Sequence, residues 1–96
     1  MTEKEAYREK VEAQLESLDA RIDLLKAKAK EAKADAKMKY EEQFENLRQK
    51  RQTVRTRLDE LGEKGEQVWK ELKSGVEDAL DDLQNAIDSA VAQLEA

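Results

Sequence analysis

Residues 11–36 read VEAQLESLDARIDLLKAKAKEAKADA, and their apolar side chains recur at intervals that alternate between four and three residues. This spacing places the apolar side chains along one stripe of a helix and is typical of a coiled-coil seam. Because an apolar stripe needs a partner, we expect this one to be the self-association surface of the protein. We call it the N-terminal seam, and it consists of Val11, Leu15, Leu18, Ile22, Leu25, Ala29, Ala32 and Ala36.

The helical pattern continues to Leu61 with no glycine or proline on the way. Thr2 and Glu5 have the spacing of a capping box, which marks the start of a helix. Arg51 occupies one position where an apolar residue is expected. The later apolar positions are Tyr40, Phe44, Leu47, Val54, Leu58 and Leu61. We therefore predict one very long helix over about residues 3–61, with a length of about 90 Å at 1.5 Å per residue.

A turn and a second helix are predicted to follow. The two glycines within residues 62–65 predict the turn, because glycine readily adopts the conformations that end a helix. A shorter helix is predicted over about residues 66–95, and we expect it to continue through Ser74-Gly75 although glycine costs about 1 kcal/mol in a helix interior. Its apolar positions are Val68, Trp69, Leu72, Val76, Leu80, Leu83, Ile87, Val91 and Leu94. The chain is thus predicted to be an all-α antiparallel helical hairpin that forms a single domain over residues 1–96.

The distribution of charge favours the antiparallel arrangement. Residues 26–39 contain six lysines and two acidic residues, whereas residues 66–96 contain eight acidic residues and two lysines. Folding back at the turn brings these segments together, so we expect the second helix to neutralise the lysines. The expected pairings join residues 77–82 to residues 48–51, Asp88 to Lys39 and Glu95 to Lys33. An anionic ligand of the lysines is an alternative that this pairing makes unnecessary.

The two predicted helices differ in length, so the second covers only the half of the first that lies nearest the turn. The N-terminal seam then needs another partner. One arrangement is an elongated homodimeric bundle with coiled-coil packing, whose long helices cross near Ala29, Ala32 and Ala36. The alternative is a bend near residues 30–35 that produces a monomeric three-helix bundle. We favour the homodimer because residues 30–36 contain strong helix formers and no helix breaker.

Composition excludes several kinds of functional site. The 96 residues include no cysteine and no histidine, which excludes disulfides, thiolate metal sites and histidine catalysis. Two carboxylate clusters have helical spacing, but a di-metal site in a helical bundle also uses histidine, so we interpret both as solvated faces. They are Glu41, Glu42 and Glu45, and Asp78, Asp81 and Asp82. We therefore predict no enzymatic activity, no cofactor and no metal ion.

The stretch WKELKSGVEDA at residues 69–79 is the most distinctive part of the sequence. Together with ADA at residues 34–36, Tyr40, Gln43 and LRQK at residues 47–50, it resembles a widespread group of short bacterial proteins described as coiled-coil domain-containing. The resemblance implies a helical fold of unknown activity and implies no catalytic or ligand-binding residues.

The expected function is that of a structural or protein-interaction module whose partner is a second copy or another helical protein. The net charge of −5 argues against nucleic acid binding, and the first five residues lack the pattern of an export signal, which favours the cytoplasm. Two alternatives stay open. The second helix has an apolar stripe suited to a membrane surface through Leu80, Leu83 and Ile87. The mean hydropathy of −0.97 is typical of stress-protective helices that are disordered in dilute solution.

Overall fold

The computed structural model describes residues 2–63 and 68–95. These residues form three helices and no strand, which confirms the prediction of an all-α helical bundle. The helices are α1 (Glu3–Lys30), α2 (Ala34–Glu63) and α3 (Trp69–Glu95). The molecule measures 51 × 20 × 18 Å. The 28 residues of α1 span about 42 Å, so the bundle is only slightly longer than one of its helices.

The single helix predicted over residues 3–61 is divided in two by residues 31–33. The backbone of Glu31 ends α1 at φ −87° and ψ −9°. The amide groups of Glu31 and Ala32 donate to the carbonyls of Lys28 and Ala29 at 3.2 Å and 3.1 Å, which tightens the last turn of α1 in the manner of a 3₁₀-helix. No residue of the described ranges has a positive φ. A turn of this kind needs neither glycine nor proline, so the sequence carries no signal for it.

The end of α2 also differs from the prediction. α2 includes Gly62 and ends at Glu63, so Gly62 stays helical where a helix end was expected. The remaining residues of the predicted turn, 64 and 65, lie outside the described ranges. The predicted continuity of the last helix through Ser74-Gly75 is confirmed, because both residues lie within α3.

The hairpin of α2 and α3 is antiparallel, as predicted. Lys50 Nζ lies 2.6 Å from a carboxylate oxygen of Asp82, and the side-chain amide of Gln43 donates to Gln93 at 2.6 Å. Residue numbers therefore rise along α2 as they fall along α3. The contact between α2 and α3 is the most extensive of the three, and α1 packs against both of them.

The core lies where the apolar stripes of the three helices meet. Each buried leucine or isoleucine side chain contributes about 1.5–3 kcal/mol relative to exposure, so this core supplies most of the favourable free energy of folding. The core side chains are Val11, Leu15, Leu18, Ile22, Leu25, Leu47, Val54, Leu58, Leu61, Val76, Ala79, Leu83, Ile87 and Ala90.

Candidate functional site

The N-terminal seam, predicted to be the self-association surface, is covered by α2 and α3 of the same chain. Its first five residues, from Val11 to Leu25, are all at most 9% exposed. Ala29 lies in the last turn of α1, Ala32 in the connection between the helices, and Ala36 in the first turn of α2. All three are half-buried. The structure thus places the first five residues of the seam in the core of the bundle and leaves the three alanines at its border. Within the single chain, these five residues form an intramolecular interface. This arrangement is the one expected for the alternative of a monomeric three-helix bundle.

Ion pairs attach α1 to the other two helices. The guanidinium of Arg51 donates to both carboxylate oxygens of Asp19, at 2.5 Å and 2.9 Å, and this hydrogen bonding raises the pKa of Arg51 above its ordinary value. On the other side of α1, Arg21 donates to Asp88 at 2.5 Å. Partly exposed pairs of this kind contribute about 0.2–1 kcal/mol each, so they set the position of α1 more than its stability.

Arg51 was the residue that interrupted the apolar pattern of α2. Its position on the inner side of the helix brings it to the border between α1 and α2, where Asp19 is within reach. A charged residue at a seam position was therefore a sequence signal for a charged partner. The partner itself was missed, because the sequence analysis placed residues 48–51 opposite the acidic residues of α3.

Aromatic side chains fasten the N-terminal end of α1 to the start of α3. The rings of Tyr7 and Trp69 meet edge to face, with centroids 5.4 Å apart and planes at 84°. The Tyr7 hydroxyl donates to the Lys73 carbonyl at 3.4 Å, and the Lys73 ammonium lies 5.2 Å from the centre of the Tyr7 ring. Burial and the nearby Glu77 carboxylate raise the pKa of Tyr7 to about 12. This cluster supports the helix ends and offers no free ring for a ligand.

Six lysines surround the turn between α1 and α2 at one end of the bundle, and we call this set the lysine tip. Its members are Lys26, Lys28, Lys30, Lys33, Lys37 and Lys39, and all six are exposed. Of the pairings expected with the last helix, that of Lys50 with Asp82 is present, and the side chain of Glu95, expected to face Lys33, is not among those that the structure describes. Asp88 contacts Arg21, whereas Lys39 was its expected partner. The six exposed lysines therefore leave the tip accessible to solvent, although Lys28 also has an interaction partner.

The carboxylate clusters lie on exposed helix surfaces. Glu41, Glu42 and Glu45 on α2 and the three aspartates of residues 78–82 on α3 all face solvent. Within residues 2–63 and 68–95, no group of three potential ligands is arranged to hold a metal ion. The grooves between helices are open and lined by long charged side chains, such as Lys10, Arg21 and Asp81. The six carboxylates are exposed to solvent, in line with their interpretation as solvated faces, and Asp82 and Glu45 also pair with Lys50 and Arg48.

Comparison of the chain with known protein families, curated proteins and solved structures found no match. In the part of the chain that the structure describes, no helix has both the length and the apolar character needed to cross a bilayer.

Proposed function

We propose that the protein is a non-enzymatic interaction module that self-associates by exchanging α1 between two copies. In the exchanged dimer, residues 31–33 are helical, and α1 and α2 form one long helix. The N-terminal seam of each copy packs on α2 and α3 of the other copy. The two long helices run antiparallel and cross near Ala32, and every cross-section away from the crossing contains three helices.

The short connection between α1 and α2 is the observation that carries this proposal. It consists of Glu31, Ala32 and Lys33, each of which is tolerated or favoured in a helix interior. The turn leaves carbonyl groups at the end of α1 and amide groups at the start of α2 without helical partners, and a straight helix would pair them. A short connection of helix-forming residues thus favours the form in which residues 31–33 are helical. Such connections promote domain exchange.

We call the single-chain bundle described above the closed chain. Exchange conserves its buried contacts. The seam residues, the Asp19–Arg51 pair and the Tyr7–Trp69 contact have the same partners in both forms, supplied by one chain or by two. The free energy difference between the forms is therefore small and consists of the turn, the association entropy and the charges near the crossing. Substituting Leu18 or Ile22 would not test exchange, because both side chains are buried in both forms.

Ala34→Pro tests the proposal directly. Ala34 is the first residue of α2, a position where proline fits well in the closed chain. In one continuous helix the same proline costs about 3 kcal/mol. Sedimentation velocity after refolding at increasing concentration is expected to show a dimer of the natural sequence and a monomer of Ala34→Pro. Ala34→Ser, which keeps the backbone amide, is the matched control and should still dimerise.

Cross-linking between two variants shows which helices are exchanged. The chain has no cysteine, so Asp19→Cys and Arg51→Cys each introduce a single thiol. When the two variants are refolded together, a short bis-maleimide should join α1 of one chain to α2 of the other. Ala13→Cys, on the exposed side of α1, should give no such product with Arg51→Cys. A natural sequence that sediments as an 11.0 kDa species at every concentration contradicts the proposal.

A further inference from the structure

Exposed apolar side chains lie next to the lysine tip. Three large apolar side chains are exposed among the described residues: Leu24 at 67%, Met38 at 69% and Val68 at 37%. The two most exposed lie next to the lysine tip. Leu24 lies six residues before the end of α1, and Met38 lies four residues after the start of α2. At 1.5 Å per residue, both lie within about 10 Å of the end of the bundle.

The two ends of the bundle differ in charge. Residues 26–39 carry six lysines against Glu31 and Asp35, a net charge of +4. The opposite end, where α1 and α3 begin, exposes acidic and basic residues together, among them Glu3, Glu5, Glu71, Lys10 and Lys70. Positive charge is thus concentrated at one end of the molecule although the net charge is −5. An anionic surface therefore attracts the end that carries the lysine tip more strongly than the other end.

We propose that the lysine tip docks end-on onto an anionic membrane surface, with Leu24 and Met38 entering the interface. Clusters of about four to eight basic residues bind anionic lipid headgroups. Surface-bound helices reach about 5–10 Å into the boundary between headgroups and acyl chains. A tip that enters to this depth brings Leu24 and Met38, which lie within about 10 Å of its end, to the headgroups.

Lysine and aliphatic side chains favour a lipid surface over a nucleic acid. Arginine is the residue that recognises phosphates bidentately, and the tip contains none. Residues 24–39 also contain no aromatic side chain on which a base stacks. The membrane alternative considered for the last helix loses its basis, because Leu83 and Ile87 are fully buried in the core. Among the described residues, the two most exposed large apolar side chains lie beside the six lysines of the tip.

End-on docking uses the closed chain and does not rest on the exchange of α1. In the exchanged dimer the two lysine tips meet at the crossing and are covered. Vesicle binding and dimerisation therefore compete, and binding is measured at a concentration where sedimentation shows the monomer. Failure of vesicle binding is then distinguishable from failure of exchange.

Flotation with vesicles tests the docking. The protein is expected to float with vesicles that contain phosphatidylglycerol and to stay unbound with vesicles of phosphatidylcholine alone. Binding should be lost when salt is raised from about 0.1 M to about 1 M, since the screening length falls from about 10 Å to about 3 Å. Lys33→Gln combined with Lys37→Gln should weaken binding at least tenfold. Lys10→Gln combined with Lys70→Gln removes two exposed lysines elsewhere and should leave binding unchanged.

The apolar part of the tip has its own variant and control. Leu24→Ser combined with Met38→Ser should also weaken binding to anionic vesicles, with an unchanged circular dichroism spectrum because both side chains are exposed. Val68→Ser, at the other end of the bundle, should have no effect. Absence of flotation with anionic vesicles overturns the proposal. So does equal binding by the two lysine variants, or binding to single-stranded DNA of the same strength that is insensitive to Leu24→Ser and Met38→Ser.

Discussion

At the scale of single residues, polar groups at the border of the core determine how α1 is oriented. Arg51 and Asp19 form a two-point contact between α1 and α2, and Tyr7 contacts Trp69 and the Lys73 carbonyl at the start of α3. Apolar stripes alone permit several registers, whereas these directional contacts favour one. The pKa of Tyr7 reports on this arrangement, because it depends on burial beside Glu77.

Tyr7→Phe is predicted to reduce the loss of stability at high pH. The pKa of Tyr7 is about 12 in the folded chain against an ordinary value of 10.0. The folded state holds the phenol proton more tightly, so this contribution is complete below about pH 10 and is lost as the pH rises towards about 12. The free energy of unfolding of the natural sequence should fall more steeply over this range than that of Tyr7→Phe. Parallel curves would show that the phenol is equally hydrated in the folded and unfolded states.

At the scale of helices, two features differ from what local helix propensity favours. They are the turn at residues 31–33 and the continuity of α3. The turn interrupts a stretch of helix formers, while α3 continues through a glycine. At Gly75, Arg57 lies alongside and its guanidinium donates to the Gly75 carbonyl at 2.7 Å. Packing of α3 against α2 therefore holds the helix together where its own sequence is weakest.

Gly75→Ala is predicted to stabilise the protein by about 1 kcal/mol, the difference between the two residues in a helix interior. A methyl group at this position would lie 3.8 Å from the Arg57 side chain, which is ordinary van der Waals contact. Urea denaturation measures the change in the free energy of unfolding. The neighbouring exposed residue supplies a control, Ser74→Ala, with a smaller gain expected. Destabilisation by Gly75→Ala would show that Arg57 requires the glycine for its position.

At the scale of the whole molecule, the segregation of charge affects both proposed interactions. The lysine tip repels a second tip and attracts an anionic surface. The exchanged dimer brings two segments of charge +4 together at its crossing, so salt should favour it by screening their repulsion. The closed chain keeps its tip exposed and is the form suited to a membrane.

We predict that the dimerisation constant rises with salt concentration. Sedimentation equilibrium of the natural sequence between about 0.05 M and about 1 M NaCl measures this, over a range in which the screening length shortens severalfold. Lys33→Gln combined with Lys37→Gln should dimerise more strongly at low salt and respond less to added salt. A dimerisation constant that falls with salt would indicate that attractive ion pairs hold the copies together.

Several features follow from local pattern alone. The Thr2 hydroxyl accepts a hydrogen bond from the Glu5 amide at 3.2 Å, as the capping pattern predicted. The apolar spacing correctly identified the inner face of each helix, from Val11 in α1 to Ile87 in α3. Caps and hydrophobic periodicity are readable because they depend on residues within one or two helical turns.

The sequence by itself determined that this chain is helical and which faces of its helices are apolar. Only the tertiary structure decided that the helix ends at Lys30, that the N-terminal seam packs on its own chain, and that Arg21 takes the aspartate expected to face Lys39. The physical reason is competition between nearly equal free energies. Straightening residues 31–33 gains a few backbone hydrogen bonds, whereas bending them buries five seam side chains within one chain. That balance depends on contacts far apart in sequence, which no local pattern records.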